Sequence, residues 1–436
     1  MATPLTMTAT GDSLFVAPFP AEYREAMREV ADFIGSCDIR ITNLETNLSD
    51  FENFASAYSG GTWLNTRRKY LDDLLRFGFN CFGTANNHVM DYSYGALLST
   101  IDELDRRKLA HAGTGRSLEA AAKPAVLDAQ GRKVAVFAID TSFNDASRAG
   151  RATAAIPARP GVNYLRHETI FPITPAEEAQ LRAIADKTGI NFVRDMSIAT
   201  GFLNPDPEGL FAFGTLRFTT RKGEPRTRCS AKDKTRLLDA IRAAKAEYDF
   251  VAVLLHGHDN DNFSHDNPAE YLVEFCRAAV DAGANAIFGG GCHSLRGIEL
   301  RNGVPIFYSL GDFIYQGLKV EHLPADFMEK FNADIKLSAY DALMVRARGG
   351  KVGLHCHKKN YLTVVPKLTF DGRGAPSSVT LLPVALNFER KDDFNGLPVV
   401  AGPEDRAEIL SKLREISAPY GTEFREENGM LIPFRA

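Results

Sequence analysis

Short β-prone segments alternate with amphipathic helical segments along most of this chain, and this alternation limits the possible folds more than any other feature. The predicted strands cover residues 5–10, 38–42, 81–85, 134–140, 250–255, 286–288 and 305–308. The segments with apolar residues at helical spacing cover residues 22–34, 67–77, 94–107, 232–248 and 268–282. This repeated pattern predicts an α/β fold with layered sheets covered by helices.

The texture of the sequence divides the chain into one large domain and an extension. Residues 1–340 carry the alternation, interrupted at about 141–228 by a weakly periodic insertion with one short helical piece near 175–187. Such an insertion is typical of a lid or a substrate loop. Later candidate strands are 343–348, 351–357 and 362–368, followed by a helix at 403–416. We therefore predict that residues 341–436 form a β-rich C-terminal extension packed on the same domain.

Composition and charge exclude some partners and favour one compartment. The 436 residues carry a formal net charge of −4 with interspersed signs, which gives no case for a nucleic-acid partner. The start lacks a basic segment followed by an apolar run, and no segment approaches the roughly 20 apolar residues that cross a membrane. The 6 cysteines are scattered without CxxC spacing, which favours free thiols in a reducing compartment. We expect a cytoplasmic protein without a membrane segment, provided that no leader was removed.

Short polar segments follow several of the predicted strands. They are Gly11-Asp12, Asn43-Leu44-Glu45, Asn86-Asn87-His88, His256-Gly257-His258 and Cys292-His293. In an open α/β sheet, residues beyond the carboxyl ends of the strands gather in one crevice, so we expect these side chains to meet. Each segment alone is also compatible with a turn or a helix cap. Together they offer the oxygen and nitrogen ligands that a hydrolytic metal centre uses.

The second half of the chain adds two details to this predicted site. The strand period places His256 and His258 on the same face if the extended backbone continues. The glycines at 289–291 allow a sharp turn and a close approach to a ligand, which brings His293 to the crevice. The adjacent Cys292 is a further candidate ligand or nucleophile, although no base adjoins it in the sequence.

Polar residues further along are predicted to line the rim of the crevice. Arg296, Glu299 and Asp312 belong to this group, and for Asp312 a role at the metal competes with a simple turn role. Arg166 and Arg296 are candidate holders of an anionic group, which suits a phosphate or a carboxylate equally. Surface or rim salt bridges are an equally good explanation of both arginines.

Taken together, these residues resemble the CapA family, which is named for poly-γ-glutamate capsule synthesis and has the fold of the calcineurin-like metallophosphoesterases. The resemblance covers most of the chain. It rests on these motifs in order: Gly11-Asp12, Asn43-Leu44-Glu45, Ala85-Asn86-Asn87-His88 with Asp91 following, RPGVNYLR at 159–166, His256, the segment 289–299, YSLGDF at 308–313, GLP at 396–398 and SAPYGT at 417–422. It implies a metallophosphoesterase-like layered fold for the main domain.

The resemblance also implies a set of metal ligands. Asp12, Glu45 and His293 match the positions expected around one metal ion. Glu45, Asn87 and His256 match those around a second ion, so that Glu45 bridges the two. Two nearby cations lower the pKa of a bridging water, hold the oxyanion of the substrate and stabilise the leaving oxygen, so no protein nucleophile is required.

Catalytic and substrate-binding roles follow from the same resemblance. His88 matches the histidine that in related phosphoesterases protonates the leaving group or steadies the transition state, and Asp91 follows in the same motif. Asn86, which opens the motif, is a candidate for substrate binding.

Two departures from the family pattern concern the second ion. The family usually has GHHPH where this chain has GGGCH, so the histidine expected as a further ligand is Gly291. The family also usually has HWG where this chain has His256-Gly257-His258. His258 or Asp259 compensates for the missing ligand, or the protein holds one ion tightly and one weakly.

The resemblance thus implies a metal-dependent hydrolase with one or two divalent ions, for which manganese, iron or zinc fits the ligands. Its water attacks a phosphoester or an amide-type bond in a small-molecule or γ-glutamyl-type substrate. One alternative is an accessory protein of poly-γ-glutamate capsule synthesis or export, with a partner complex and little turnover. Another is a structural or regulatory protein with a degenerate, metal-free site. The oligomeric state stays open, including a homo-oligomer.

Overall fold

Two mixed β-sheets face each other at the centre of the protein. In a computed structural model, which describes residues 3–223, 226–372 and 374–435, the larger sheet has 10 strands and the smaller has 6. An apolar core lies between them, to which Leu5 and Ile39 contribute from the larger sheet and Val136 and Phe250 from the smaller. The predicted α/β class is confirmed in this general form, as mixed sheets combined with helices.

The strands are labelled in chain order over the described residues. They are β1 (Leu5–Leu14), β2 (Ile39–Leu44), β3 (Asn47–Leu48), β4 (Asn65–Thr66), β5 (Cys81–Gly83), β6 (Ala110–Ala112), β7 (Thr114–Gly115), β8 (Ala125–Ala129), β9 (Arg132–Asp140), β10 (Gly161–Val162), β11 (His167–Thr169), β12 (Phe171–Pro172), β13 (Phe211–Phe213), β14 (Leu216–Thr219), β15 (Thr227–Cys229), β16 (Phe250–Gly257), β17 (Ala286–Gly291), β18 (Ile298–Arg301), β19 (Val304–Phe307), β20 (Asp312–Tyr315), β21 (Leu362–Phe370), β22 (Ser378–Ala385), β23 (Val399–Val400), β24 (Thr422–Glu427) and β25 (Met430–Arg435).

The α-helices are labelled in the same way. They are α1 (Tyr23–Ala26), α2 (Arg28–Gly35), α3 (Leu71–Leu75), α4 (Ser93–Arg106), α5 (Leu118–Ala121), α6 (Pro175–Thr188), α7 (Phe192–Ala199), α8 (Ala231–Glu247), α9 (Glu270–Asp281), α10 (Ala325–Phe331), α11 (Ala339–Arg346) and α12 (Pro403–Ser417). Short 3-10 turns lie at Arg68–Tyr70, Asp145–Ser147, Leu354–Cys356, Lys358–Tyr361 and Ala418–Tyr420.

The order of the strands brings several carboxyl ends to one edge. The larger sheet runs β24-β25-β22-β21-β1-β2-β5-β6, with β20 also paired to β1 and β23 to β22. The smaller sheet runs β18-β19-β17-β16-β9-β8. β1 is parallel to β2 and β20, and β16 is parallel to β9 and β17. Parallel neighbours end at the same edge, so residues that follow these strands lie close together.

The central strand β16 positions the site in the smaller sheet. All of its residues are buried, because parallel strands flank it on both sides. In register, His256 lies opposite Asp140 of β9 and Gly290 of β17. A Cβ at Gly290 would lie 2.7 Å from Oδ1 of Asp12, so only glycine lets the carboxylate of β1 come this close to the smaller sheet.

Helices cover the outer faces of both sheets. Leu237 of α8 and Phe275 of α9 pack on the outer face of the smaller sheet. Val30 of α2 and Leu74 of α3 belong to the apolar cluster on the other face of the larger sheet. Their amphipathic spacing explains why these helices were predictable from the sequence.

The C-terminal part corrects two predicted strands. Residues 343–348 and 351–357 are not strands, because the Ser338 side chain accepts a hydrogen bond from the Asp341 N–H and starts α11, after which a 3-10 turn covers Leu354–Cys356. The third predicted strand is β21, and the predicted helix at 403–416 is α12. β21 pairs antiparallel with β1, so the late strands continue the larger sheet.

The insertion at about 141–228 has more secondary structure than its weak periodicity predicts. It contains α6, α7 and small sheets in which β14 pairs with β12 and β13, and β11 pairs with β15. The predicted helical piece is α6, whose start carries a reciprocal cap between Thr174 and Glu177. Its periodicity is weak because Ala185 is the one buried residue of α6.

Two expectations from composition concern thiols and membranes. All 6 cysteines are free thiols, as their scattered spacing predicts. Within the ranges that the structure describes, no helix has both the length and the apolar character needed to cross a membrane.

Candidate metal centre

The polar segments predicted from the sequence converge at the carboxyl ends of β1, β2 and β16. Asp12, Glu45 and His256 are 1%, 0% and 3% exposed. The imidazole of His256 lies between the two acids, with Nδ1 3.5 Å from Oδ1 of Asp12 and Nε2 3.6 Å from Oε1 of Glu45. Residues from both sheets therefore meet at one buried point.

Glu45 is the side chain that most clearly requires a partner from outside the protein. Both of its carboxylate oxygens are buried, and neither has a hydrogen-bond partner among the described residues. Burial raises the pKa of Glu45 to about 7, with Asp12 adding to this effect and His256 opposing it. A buried, unpaired carboxylate costs several kcal/mol, so a cation is the partner that fits these oxygens.

Two groups of potential ligands share this glutamate. Glu45, His256 and His258 form one group, and Glu45, His293 and Asp312 form the other. Within each group, one ligand atom from each residue lies within 4.8 Å of the others. Imidazole and carboxylate ligands suit manganese, iron or zinc. We call these the His258 group and the Asp312 group.

The Asp312 group is held together by its own side chains. Nδ1 of His293 is hydrogen-bonded to Oδ1 of Asp312 at 2.9 Å, and β20 places Asp312 in register with Asp12 of β1. Burial lowers the pKa of His293, but the carboxylate of Asp312 outweighs it and raises the pKa to about 10. His293 has a φ of 60°, a left-handed conformation that aims its ring from the end of the glycine run.

In the His258 group, one histidine has a side-chain partner and the other has none. Nε2 of His256 is hydrogen-bonded to Oδ1 of Asn87 at 2.8 Å, and burial is outweighed by Asp12 and Glu45, which raise the pKa of His256 to about 9. The ring of His258 lies 5.2 Å from that of His256 and 5.4 Å from that of His293. Burial and these neighbours hold the pKa of His258 well below its usual range. Its Nε2 is buried without a partner in the described structure, as a neutral ligand would be.

Asp12 is held at the centre by hydrogen bonds to both of its carboxylate oxygens. Its Oδ1 accepts a hydrogen bond from Nδ2 of Asn43 at 2.6 Å, and its Oδ2 accepts one from the Gly291 N–H at 2.6 Å. Burial raises the pKa of Asp12, but His256 and these donors outweigh it and lower the pKa. Asp312 lies in one group with Glu45 and His293, and the role of Asp12 as a ligand stays a prediction.

Gly291 occupies the position where the family pattern has a histidine. Its φ is 105°, and a Cβ there would lie 2.8 Å from the backbone nitrogen of Gly257. A histidine is therefore excluded from this backbone conformation by strain and by contact with β16. The backbone N–H of Gly291 instead supports Asp12.

The predicted catalytic pair is adjacent to the centre. Nδ1 of His88 is hydrogen-bonded to Oδ2 of Asp91 at 2.6 Å, and Nε2 lies 4.0 Å from Oε1 of Glu45. Asp91 also accepts hydrogen bonds from the backbone N–H groups of Gly60 and Leu64. Burial lowers the pKa of His88, but Asp91 outweighs this effect and raises it. His88 is thereby oriented with one nitrogen towards Glu45.

Several side chains that were predicted to bind substrate at the rim form hydrogen bonds or ion pairs within the protein. Asn86 donates to the carbonyl of Leu44 at 2.8 Å. Arg166 forms a two-bond ion pair with Asp233, with distances of 2.6 and 2.9 Å.

The two other rim candidates are also held by the protein. Glu299 accepts hydrogen bonds from Arg277 at 3.0 Å and from the hydroxyl of Tyr308 at 2.6 Å. Arg296 is 0% exposed, and its guanidinium donates to the carbonyls of His258 and His265. Of the rim predicted from the sequence, Asp312 is the residue that reaches the centre.

Asp140 is a residue of this region that sequence analysis missed. It is 0% exposed, Oδ1 accepts the Ser142 N–H at 2.8 Å, and Oδ2 has no partner in the described structure. Burial raises its pKa to about 6, with His256 opposing. The signal was present, because Asp140 ends a predicted strand just as the five polar segments follow theirs.

Comparisons with known proteins agree with the motifs. The family model described as "Bacterial capsule synthesis protein PGA_cap" matches residues 6–317. An "Uncharacterized protein y4sH" of Sinorhizobium fredii is 29% identical over 433 residues, which cover 97% of this chain and 91% of that protein.

Two relatives are named as biosynthesis proteins called CapA. The "PGA biosynthesis protein CapA" of Bacillus subtilis is 26% identical over 306 residues, or 70% of this chain and 57% of that protein. The "Capsule biosynthesis protein CapA" of Bacillus anthracis is 23% identical over 321 residues, or 71% and 60%. The matches to these two span less than two thirds of their length. The resemblance read from the motifs is confirmed.

Proposed function

This chain belongs to the bacterial capsule synthesis protein family, and we propose that it is a metal-dependent hydrolase that acts on a phosphoester or an amide-type bond. One observation carries the proposal: Glu45, whose two carboxylate oxygens have no hydrogen-bond partner in the described structure, belongs to both groups of potential metal ligands. A purely structural glutamate at this depth would have hydrogen-bond donors of its own.

Each group would coordinate one divalent cation. Divalent ions bound here supply positive charge that polarises a substrate oxygen and lowers the pKa of a water. Glu45 belongs to both groups and keeps their ligand atoms close together. His256 and His258 contribute nitrogen on one side, and His293 with Asp312 contributes nitrogen and oxygen on the other.

His88 is the residue best suited to transfer a proton. Asp91 fixes Nδ1 of the ring, so Nε2 faces the centre and holds a proton for the leaving group. The same arrangement serves a phosphoester and an amide, because both transition states place negative charge on oxygen. A γ-glutamyl-type substrate is supported by the family resemblance and by the PGA in the name of the Bacillus subtilis relative.

One specific observation favours a second function, that of an accessory protein in poly-γ-glutamate capsule synthesis or export. Gly291 removes one histidine that the family pattern places beside the second ion. A weakly held second ion would leave the fold able to bind a partner or a polymer with little turnover.

Metal content and turnover together test the proposal. The protein purified without added metal should contain divalent ions by mass spectrometry, and Glu45→Gln should contain none. Hydrolysis of bis(p-nitrophenyl) phosphate or of γ-glutamyl p-nitroanilide should stop with a chelator and return with manganese.

The exposed Glu29 offers a matched control, since Glu29→Gln changes the same atoms outside the site. This variant should keep both metal and activity. Bound metal without hydrolysis of either substrate would favour the accessory function, and a protein that takes up no metal would contradict the hydrolase and favour a binding protein on the same fold.

A further inference from the structure

The ring of His258 differs from the other histidine rings of the centre in its lack of a hydrogen-bonded side chain. The rings of His256, His293 and His88 are each hydrogen-bonded to a side chain, namely Asn87, Asp312 and Asp91. For the ring of His258 the described structure contains no such partner, and its Nε2 is buried. The position of this ring therefore depends on how its backbone is held.

The backbone N–H of His258 is held from the end of β9. It donates to Oγ of Ser142 at 2.8 Å. Ser142 is itself fixed, because its own N–H donates to Oδ1 of Asp140 at 2.8 Å. Asp140 is opposite His256 in the paired strands, so this contact joins His258 to the sheet that carries the other ligand.

The backbone carbonyl of His258 is held from the opposite side by Arg296. The guanidinium donates from Nη2 to the carbonyl of His258 at 3.2 Å and from Nε to the carbonyl of His265 at 3.3 Å. Arg296 is 0% exposed, its Nη1 has no partner, and it forms no ion pair with an acid within the described ranges. Burial of an unpaired guanidinium costs several kcal/mol, so its two contacts to one loop stand out.

Asp259 is not available for the compensating role that His258 can fill. Its Oδ2 accepts the hydroxyl of Tyr271 at 2.7 Å and lies 3.4 Å from Oγ of Ser142. Its Oδ1 lies 3.4 Å from Nε2 of His167. Both oxygens thus face residues of α9 and the insertion.

We propose that Ser142 and Arg296 are positioning residues that hold His258 as the ligand which replaces the side chain missing at Gly291. Ser142 fixes the N–H of His258 and Arg296 fixes its carbonyl, so the ring is presented between His256 and His293 without a side-chain partner. The inference rests on the proposed function, because it assigns the two residues a task at the same metal centre.

Titration with Co²⁺ tests this assignment without any assay of turnover, because the visible absorption of Co²⁺ reports its coordination. The parent should bind two equivalents. Ser142→Ala and Arg296→Met should retain the tighter equivalent, lose about tenfold to a hundredfold in affinity for the weaker one, and change its spectrum. His258→Ala should show the same change with a greater loss.

Two comparisons separate positioning from general destabilisation. Ser142→Thr keeps the hydroxyl and should bind the weaker equivalent of Co²⁺ like the parent. Ser142→Val has the shape of the threonine variant but lacks the hydroxyl, so it should bind this equivalent less tightly. Arg301→Met removes a partly exposed arginine that pairs with Asp281, outside both ligand groups, and this variant should bind Co²⁺ like the parent.

The outcomes distinguish this inference from the proposed function. Parent-like affinity and spectra in both Ser142→Val and Arg296→Met would overturn it while leaving the hydrolase proposal intact. Equal loss of both equivalents in these variants would also overturn it. A parent that binds no Co²⁺ would overturn both.

Discussion

The two ligand groups share Glu45 but are built in different ways. In the Asp312 group, His293 and Asp312 bind each other directly, and Asp312 sits on a strand paired with β1. In the His258 group, His258 lies just beyond the end of β16 and is held through its backbone. A ligand on a paired strand is more precisely placed than one on a loop, so under the proposed function we expect the Asp312 group to bind an ion more tightly than the His258 group.

The donor atoms of the groups also differ. The His258 group offers two imidazoles and a carboxylate, whereas the Asp312 group offers one imidazole and two carboxylates. Nitrogen-rich sets suit zinc and iron, and oxygen-rich sets suit manganese. Under the proposed function, we therefore expect the two groups to differ in the ion that they prefer.

The largest effect is expected from a residue outside both groups. His88→Asn should lower the turnover number by about 10² to 10⁴-fold, because it removes the proton donor, while both metal equivalents stay bound. Steady-state kinetics on the metal-loaded protein and metal analysis measure the two quantities. His322→Asn changes an exposed histidine and serves as the control. If His88→Asn lost metal, the residue would belong to the ligand groups.

The next effect compares the groups directly. A structural ion is held by roughly 10–16 kcal/mol in total, so the loss of one of the three residues of a group should weaken its binding by at least about a hundredfold. His293→Ala should do this to the tighter ion and His258→Ala to the weaker, as measured by calorimetric titration with Zn²⁺ and Mn²⁺. The comparison fails if His258→Ala removes the tighter ion.

The dependence of metal binding on pH should be smaller but has a definite sign. The pKa of His256 is raised to about 9 and that of His293 to about 10, so both rings are protonated at pH 7 in the absence of metal. Bound metal must displace these protons. Its affinity should therefore rise with pH by up to about tenfold per unit for each proton displaced.

The stability of the metal-free protein should move in the opposite direction. A histidine whose pKa is raised on folding stabilises the folded state below about pH 6.5, and this contribution is lost as the pH rises through 9 to 10. Glu45, with its pKa raised to about 7, loses its contribution between about pH 4.5 and 7. Thermal unfolding with and without manganese should show a stabilisation that grows from pH 6 to 9. A constant stabilisation would show that these groups bind no metal.

The smallest effect concerns the backbone between the groups. Gly291→Ala should lower the free energy of unfolding by about 1–3 kcal/mol, because alanine is strained at the positive φ and contacts Gly257. Gly372→Ala is the matched control, since a Cβ added at Gly372 would have no other atom within 4 Å. Chemical denaturation measures the free energy of unfolding of both variants. Equal values would show that the backbone of β17 accommodates a Cβ at residue 291 without strain.

The approximate place of the centre could be predicted from the sequence, but the pairing of its ligands could not. Asp12, Glu45 and His256 each come just after a predicted strand, and the rule for parallel sheets brings such positions together. The choice of Asp312 as the partner of His293 depends on the pairing of β20 with β1, which joins distant parts of the chain. No local pattern encodes that pairing.

The errors have equally local causes. Residues 343–348 contain apolar residues that suit a strand, but the Ser338 cap starts a helix there. Arg296 was predicted to line the rim because it is charged, but its side chain is completely buried. Charged residues are so rarely buried that sequence reasoning places them at the surface by default.

The position of β1 has a consequence for the synthesis of the protein. Its partners include β2, made soon afterwards, and β20 and β21, made near the end. A ribosome-bound chain that stops before residue 312 therefore lacks Asp312 and one side of the sheet. Under the proposed function, metal capture should therefore await the emergence of β20, which begins at Asp312. Radioactive zinc retained by stalled chains of increasing length would reveal the point at which capture begins.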